Sequence, residues 1–378
     1  MNLSETIKLY PTKEQKRLIK RTMAEYINTV NCLVSTELSG YSISKFSTKD
    51  ISAELPSALK NQCLRDAKSV IRKYRKYCHK AVLKYRWNKK HNINDEVSAP
   101  KVSVLKKPCC YVNNQNYCIN GNNIEFPVMI NGKSKRISVC SRLTDIQKDK
   151  LSTAKLGTMR IVVKNNTIVA QVVYKAAEAQ VKTYGNTMGV DLGVKCPAVL
   201  YCSNGKVRFL GNGRKNKFIR RHFDTLRHNA QINKHMEALA RFNDKEQRIM
   251  KDIDHKISRE IINTAIANNV CVIRLEQLSN IRSATSKSRK NNHSIHNWSF
   301  YRLASFIEYK ARLAGIKIEY VNPAFTSQMC PKCGSVHHAH GRNYACKCGY
   351  HTHRDLLGAI NICNSTEYVG DSIIRHTA

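Results

Sequence analysis

Hydrophobic spacing divides the chain into two halves of different character. Leu3-Ser-Glu-Thr-Ile-Lys-Leu-Tyr alternates with the period of a strand. Pro11-Thr12-Lys-Glu-Gln15 then offers a threonine cap with glutamine three places on, which opens a helix running to about Ser39. A polar loop from Gly40 gives way at Leu55-Pro56-Ser57 to a second helix, with an apolar stripe of Leu64, Ala67, Ile71, Tyr74, Cys78, Ala81 and Tyr85. From Asn92 to Glu178 the period shortens to two. Runs at Cys110, Asn116, Ile124, Arg136, Met159 and Ile168 are separated by turn signals such as Asn120-Gly121, Asn131-Gly132 and Asn165-Asn166, the pattern of an antiparallel sheet or small barrel. The strand at Leu3 can join it, which makes the helices from about 12 to 91 an insertion into a β domain.

The second half opens on Thr187-Met-Gly-Val-Asp191, an apolar strand that ends on an acid. A hairpin follows across Ser203-Asn204-Gly205, then basic helical regions from Arg214 to about Arg241 and from Lys245 to Asn268. Val270-Cys-Val-Ile-Arg-Leu-Glu276 is a second strand ending on an acid, and the Ser-, Asn- and Lys-rich stretch from Ser279 to Asn297 reads as a mobile loop. A helix from Trp298 presents Leu303, Phe306, Ile307, Ala311 and Leu313 to a core, and a strand from Ile316 stops at Asn322-Pro323. Strand, hairpin, helices, strand, helix, strand and a last helix bearing Asp355 is the order of the ribonuclease H-like nuclease fold. Taken alone, Asp191 is a capping or turn residue. Three carboxylates delivered by separate elements can instead converge on two Mg²⁺, about 3.5 to 4 Å apart, which prefer hard oxygen ligands.

Between the last strand and Asp355 stand Cys330-Pro-Lys-Cys333 and Cys346-Lys-Cys348. Two close pairs of thiolates around a His-rich loop predict one structural Zn²⁺ held by Cys330, Cys333, Cys346 and Cys348. One residue between Cys346 and Cys348 makes a tight chelate, so His351 or His353 is an alternative fourth ligand. His337, His338 and His340 read as solvated loop residues or phosphate neighbours rather than ligands. The other cysteines have no ligand spacing, and their odd total of 15 argues against a disulfide framework.

Charge narrows the partners. Lys and Arg number 64 against 27 Asp and Glu, a formal charge of +37, and so one-signed a chain repels itself until a polyanion offsets it. The exposed faces of the second helix illustrate the point: Arg72, Lys73, Lys76 and Lys80 have almost no compensating acid, and Tyr74, Tyr77 and Tyr85 interleave with them. Such a surface suits a phosphate backbone and stacked bases better than plain solvent, and Arg220, Arg221, Arg227, Lys256 and Arg259 add cations in the second half. No apolar run long enough for a membrane and no signal h-region is evident, so the expected location is cytoplasmic and nucleoid-associated, with no membrane partner.

Several motifs carry a family resemblance: Gly189-Val-Asp191-Leu-Gly193, Asp254-His-Lys256-Ile-Ser258-Arg259, Leu275-Glu276, Trp298-Ser-Phe300, Thr326-Ser327-Gln328, both cysteine pairs, and Arg354-Asp355 through Asn361. Together they resemble TnpB, the transposon-encoded RNA-guided nuclease with a RuvC domain, similar to the nuclease half of type V CRISPR effectors. The resemblance is strong over 185 to 365 and covers the first half only in layout. It implies a multidomain α+β protein: a wedge-like β-barrel (1–11 and 92–182) with an inserted helical recognition domain (12–91), a RuvC-like α/β nuclease domain (183–325 and 353–378), and a zinc ribbon (326–352). It further implies that Asp191, Glu276 and Asp355 are catalytic Mg²⁺ ligands, and that a guide RNA from the transposon end directs cleavage of double-stranded target DNA beside a short motif. Monomer and dimer are both compatible with it. A non-cutting RNA-guided repressor and a strand-transfer transposase are the alternatives, as is a zinc-ribbon protein of ribosomes or transcription, which gives no reason for acids at two strand ends.

Overall fold

The computed structural model describes residues 1–164, 166–278, 292 and 298–372, and the chain divides into two compact units, Met1–Ala177 and Glu178–Ala378. The stretch from Ser279 to Asn297, expected to be a loop, lies outside the described residues except at Asn292.

In the first unit β1 (Asn2–Leu9), α1 (Lys13–Leu38) and α2 (Ser57–Lys90) precede β2 (Cys109–Val112), β3 (Cys118–Asn120), β4 (Asn123–Ile130), β5 (Lys133–Arg142), α3 (Asp145–Thr153), β6 (Lys155–Lys164) and β7 (Thr167–Lys175). The Thr12 cap forms as its spacing predicts: the hydroxyl accepts the Gln15 amide, and the Gln15 side chain accepts the Thr12 amide. Strand β1 enters the sheet between β7 and β5, in the order β2-β6-β7-β1-β5-β4-β3. Among the described residues no pairing joins β2 to β3, so the sheet is open rather than a closed barrel. Asn131 and Gly132 take φ of 50° and 74°, the left-handed pair that a two-residue hairpin needs.

Although α1 and α2 are inserted between strands in the chain, they have no separate core. Met23, Tyr26 and Val30 of α1 and Leu59, Cys63 and Ala67 of α2 lie in one cluster with Val112, Ile124 and Ile161 of the sheet. The α2 stripe is buried only as far as Ile71; Tyr77 and Tyr85 are 46% and 58% exposed, so the rest of the helix extends as a basic rod. Helix α3 stands where the spacing was read as strands and turns. Its Thr144 cap with Gln147 at the third position repeats the Thr12 signature.

The second unit contains β8 (Asn186–Asp191), β9 (Ala198–Cys202), β10 (Val207–Leu210), α4 (Gly213–Ile232), α5 (Met236–Ala267), β11 (Val270–Glu276), α6 (Phe300–Leu313), β12 (Lys317–Val321), β13 (Asn343–Ala345), β14 (His351–His353), α7 (Arg354–Asn364) and β15 (Tyr368–Gly370). The sheet runs β10-β9-β8-β11-β12-β15, with β8, β11 and β12 parallel. Strand β15, which the spacing did not predict, adds antiparallel to β12. The basic helices part at Lys234, with φ of 55°, rather than between Arg241 and Lys245; a left-handed residue just past Asn233 ends α4.

Helices α5 and α6 cover one face of this sheet, where Val190, Leu200, Ile273 and Leu275 meet Ile257, Ile261, Leu303 and Ile307. Buried polar groups fix the two helices to each other. Lys310 Nζ donates to the His255 carbonyl at 2.7 Å and the Ser258 hydroxyl at 2.6 Å, and burial pulls its pKa down to about 8. Asp254 accepts from Ser299 at 2.9 Å and Arg302 at 2.7 Å. Asp254, His255 and Ser258 of the Asp254–Arg259 motif are thus part of the scaffold.

Helix α7 lies on the opposite face and approaches β8 closely enough to need glycine. A Cβ on Gly189 would collide with the Ala359 carbonyl oxygen and come within 2.5 Å of the Cys363 amide nitrogen, both backbone atoms. Gly189→Ala is therefore expected to cost about 2–3 kcal/mol by overpacking, visible as a lowered melting temperature. An unchanged melt would contradict this tight apposition.

Candidate metal centre and acid cluster

Each of three acids sits where its element ends or begins. Asp191 closes β8, Glu276 closes the neighbouring parallel strand β11, and Asp355 lies in the first turn of α7, where the helix dipole favours an acid. Helix α7 lies against β8, and Gly358 provides the space: a Cβ there would stand 3.1 Å from Asp191 Oδ2. Glu276 and Asp355 lie close enough to oppose the ionisation of Asp191. Burial, then the charges of Glu276 and Asp355, push Asp191 well above the ordinary carboxylate range, while Arg342 and Arg354 pull it back. Burial likewise raises Glu276, opposed by the hydrogen bond that it accepts from the Thr326 hydroxyl.

The surroundings orient these groups. Asn361 Nδ2 donates to the carbonyls of Thr326 and Met329, both at 2.7 Å, tying α7 to the segment that holds Thr326. His353 caps α7 by accepting the Asp355 amide at Nδ1 over 3.2 Å. Arg342 pairs with Asp355 Oδ1, so an arginine from the cysteine-rich segment sits on an acid of the cluster. Thr326 belongs to the Thr326-Ser327-Gln328 motif, and its spacing alone does not point to Glu276. The Arg342 ion pair had no local sequence signal, because it spans the loop between the cysteine pairs and α7.

The four cysteines converge. The sulfurs of Cys330, Cys333, Cys346 and Cys348 all lie within 4.8 Å of one another, with Cys330–Cys348 at 3.6 Å and Cys333–Cys346 at 3.4 Å. No histidine belongs to this group among the described residues, so the expectation of His351 or His353 as a substitute ligand is not needed. The one-residue spacing of the second pair is accommodated by Gly349, at φ of 84°, whose amide donates back to the Cys346 carbonyl at 3.0 Å. Ser335 lowers the Cys333 thiol to about 6, which favours a thiolate at neutral pH. Four soft donors at this separation fit one tetrahedral Zn²⁺, whereas among the described residues the three carboxylates do not converge as tightly as the thiols.

The basic residues separate into two groups. Arg72, Lys73, Lys76 and Lys80 are exposed on α2, and Arg221 and Arg259 are exposed in the second unit. Lys256 is also exposed but pairs with Asp252 at 2.7 Å. Arg220 and Arg227 are half-buried and both bond Glu246, Arg227 also Asp224, so their charge is met within the chain. Among the described residues no helix is long and apolar enough to cross a membrane.

Comparison with known proteins places this geometry. Residues 300–362 match the family model of the Cas12f1-like TNB domain, the span from α6 through the cysteine cluster into α7. The chain resembles the Cas12f1–sgRNA–target DNA complex in fold, with a TM-score of 0.61 over 93% of this chain and 82% of that one at 16% identity. It is 28% identical to the CRISPR-associated endodeoxyribonuclease Cas12f1 of Sulfoacidibacillus thermotolerans, over 52% of this chain and 50% of that protein. Identity to the TnpB-like protein MJ0751 of Methanocaldococcus jannaschii is 30% over 259 residues, 64% of this chain and 91% of the archaeal protein. At 30% identity over nearly the whole of that relative, this chain belongs to the TnpB family.

Proposed function

We propose that the chain is an RNA-guided DNA endonuclease of a transposable element that hydrolyses target phosphodiesters at Asp191, Glu276 and Asp355. The observation that carries this reading is the coupling of three acids from β8, β11 and α7 at one place in a Cas12f1-like fold. Two Mg²⁺ held by these carboxylates would supply an activated water and offset charge on the leaving oxygen. The protein's own part is positional. Thr326 holds Glu276 by hydrogen bonding, His353 fixes the start of α7, and Arg342 balances Asp355 until a cation or phosphate competes for it. The sequences are read by base pairing, and the protein supplies positive charge for the backbone; Arg72, Lys73, Lys76, Lys80, Arg221 and Arg259 are the exposed cations assigned to that task. The first unit, with its sheet and basic α2 rod, takes the wedge and recognition roles and reads the motif beside the target. One Zn²⁺ at the four cysteines is structural, and the clustering of all three acids weighs against a non-cutting repressor.

The test is sequencing of RNA that copurifies with the protein, followed by incubation with a plasmid carrying the complementary site. A discrete RNA with a variable end and Mg²⁺-dependent cutting of the matched plasmid are expected. Heterogeneous RNA with no matched cutting would overturn the proposal.

A further inference from the structure

Edge strand β10 carries an aromatic side chain in the open: Phe209 is 48% exposed, where natural edges are usually guarded by charge. Strand register determines where it stands. Phe209 lies opposite Val199 on β9, and Val199 lies opposite Asp191 on β8, so the three side chains leave the same face of the sheet in one row. Two strand spacings separate Phe209 from Asp191, about 10 Å between Cα atoms. The adjacent Arg208 points to the other face, where it bonds Thr264 at 2.9 Å and Glu260 at 3.3 Å on α5. The Phe209 ring meets the His353 imidazole at right angles, centroids 5.3 Å apart at 84°, and His353 is the residue that caps Asp355. One exposed ring is therefore aligned with Asp191 through the sheet and linked to Asp355 through the cap.

We infer that Phe209 is a stacking shelf for the base next to the scissile phosphate of a single-stranded substrate, a positioning residue whose assignment rests on the nuclease reading above. A ring flat enough to stack on any base, placed about 10 Å from a cluster that attacks phosphodiesters, would hold the neighbouring nucleotide without selecting its sequence. The His353 contact keeps the ring in place without covering it, and the +37 charge makes a nucleic acid the occupant rather than an apolar peptide.

The test uses the full-length protein with its copurified RNA, a thymidine oligonucleotide for binding, and single-stranded DNA complementary to that RNA for cleavage. In Phe209→Trp, the oligonucleotide is expected to quench the added indole emission beyond the change seen in the parent chain, which has two tryptophans elsewhere. In Phe209→Ala, KM for cleavage of single-stranded DNA should rise about tenfold with kcat within about twofold, Phe209→Trp should restore it, and Phe209→Leu, which fills space without stacking, should not. Loss of kcat at unchanged KM would overturn the shelf and make Phe209 a packing support for His353. Absence of extra quenching would overturn it too. Quenching without any cleavage would keep the shelf and sink the nuclease reading, whereas cleavage unaffected by Phe209→Ala would do the reverse.

Discussion

Asp191→Asn is expected to reduce cleavage of a matched plasmid by about a thousandfold or more while leaving binding of RNA and target intact. The substitution keeps the shape of the side chain and removes one charge from the hard donor set. It should also stabilise the protein without added Mg²⁺. Burial raises both Asp191 and Glu276 above their unfolded values, and like charges add to the rise at Asp191, so the native state holds more protons than the unfolded chain between the ordinary and raised pKa values. Stability from these groups therefore falls as pH rises through that window, and a neutral amide removes the penalty. The melting temperature of Asp191→Asn should exceed that of the parent by about 2–4 °C at pH 8 and by less at pH 5. Protons and Mg²⁺ compete for the same carboxylates, so the thermal shift on adding Mg²⁺ to the parent should also grow with pH. Cutting that survives in Asp191→Asn would remove this aspartate from the site.

Loss of the cysteine-bound metal is expected to have the second large effect. Metal analysis should find about one zinc per chain, and Cys330→Ala or a strong chelator should release it, since binding energy of a structural zinc of about 10–16 kcal/mol is folding energy for the segment around it. The segment reaches the acid cluster by short links. β14, paired with β13, ends at His353, the next residue begins α7, and Arg342 of the same segment contacts Asp355. Release of the metal should thus lower cutting by two orders of magnitude or more while the sheet of the second unit keeps its secondary structure, which circular dichroism can follow. A metal-free protein with full activity would refute the coupling.

How much was legible depended on whether a feature is local. The cap at Thr12, the alternating strands, the Asn-Gly turns and the two strand-end acids were all readable from a few adjacent residues, because caps, pleats and tight turns are set by nearest neighbours. Helix α3 carries the same cap signature, but its nine residues stand inside a stretch whose period is that of strands. The break at Lys234 depended on one left-handed residue with no glycine or proline to mark it. Strand β15 has only three residues and exists because the edge of β12 is there to receive it. The basic residues were read as one class, and contacts between helices divided them: Glu246 lies 26 residues beyond Arg220 in the chain and takes up its charge.

By itself the sequence determined the acids, the thiols and the excess of positive charge, because residue chemistry and short spacing do not depend on how the chain returns on itself. It also determined most of the order of strands and helices in the second unit. Tertiary structure alone decided that α7 sits on Gly189, that Asp191 and Glu276 lose solvent and gain each other's charge, and that Arg342 meets Asp355. It decided too that Phe209 shares a row with Asp191. Those relations join residues far apart in the chain, and cross-strand register, helix packing and burial come into being only when the sheet has formed.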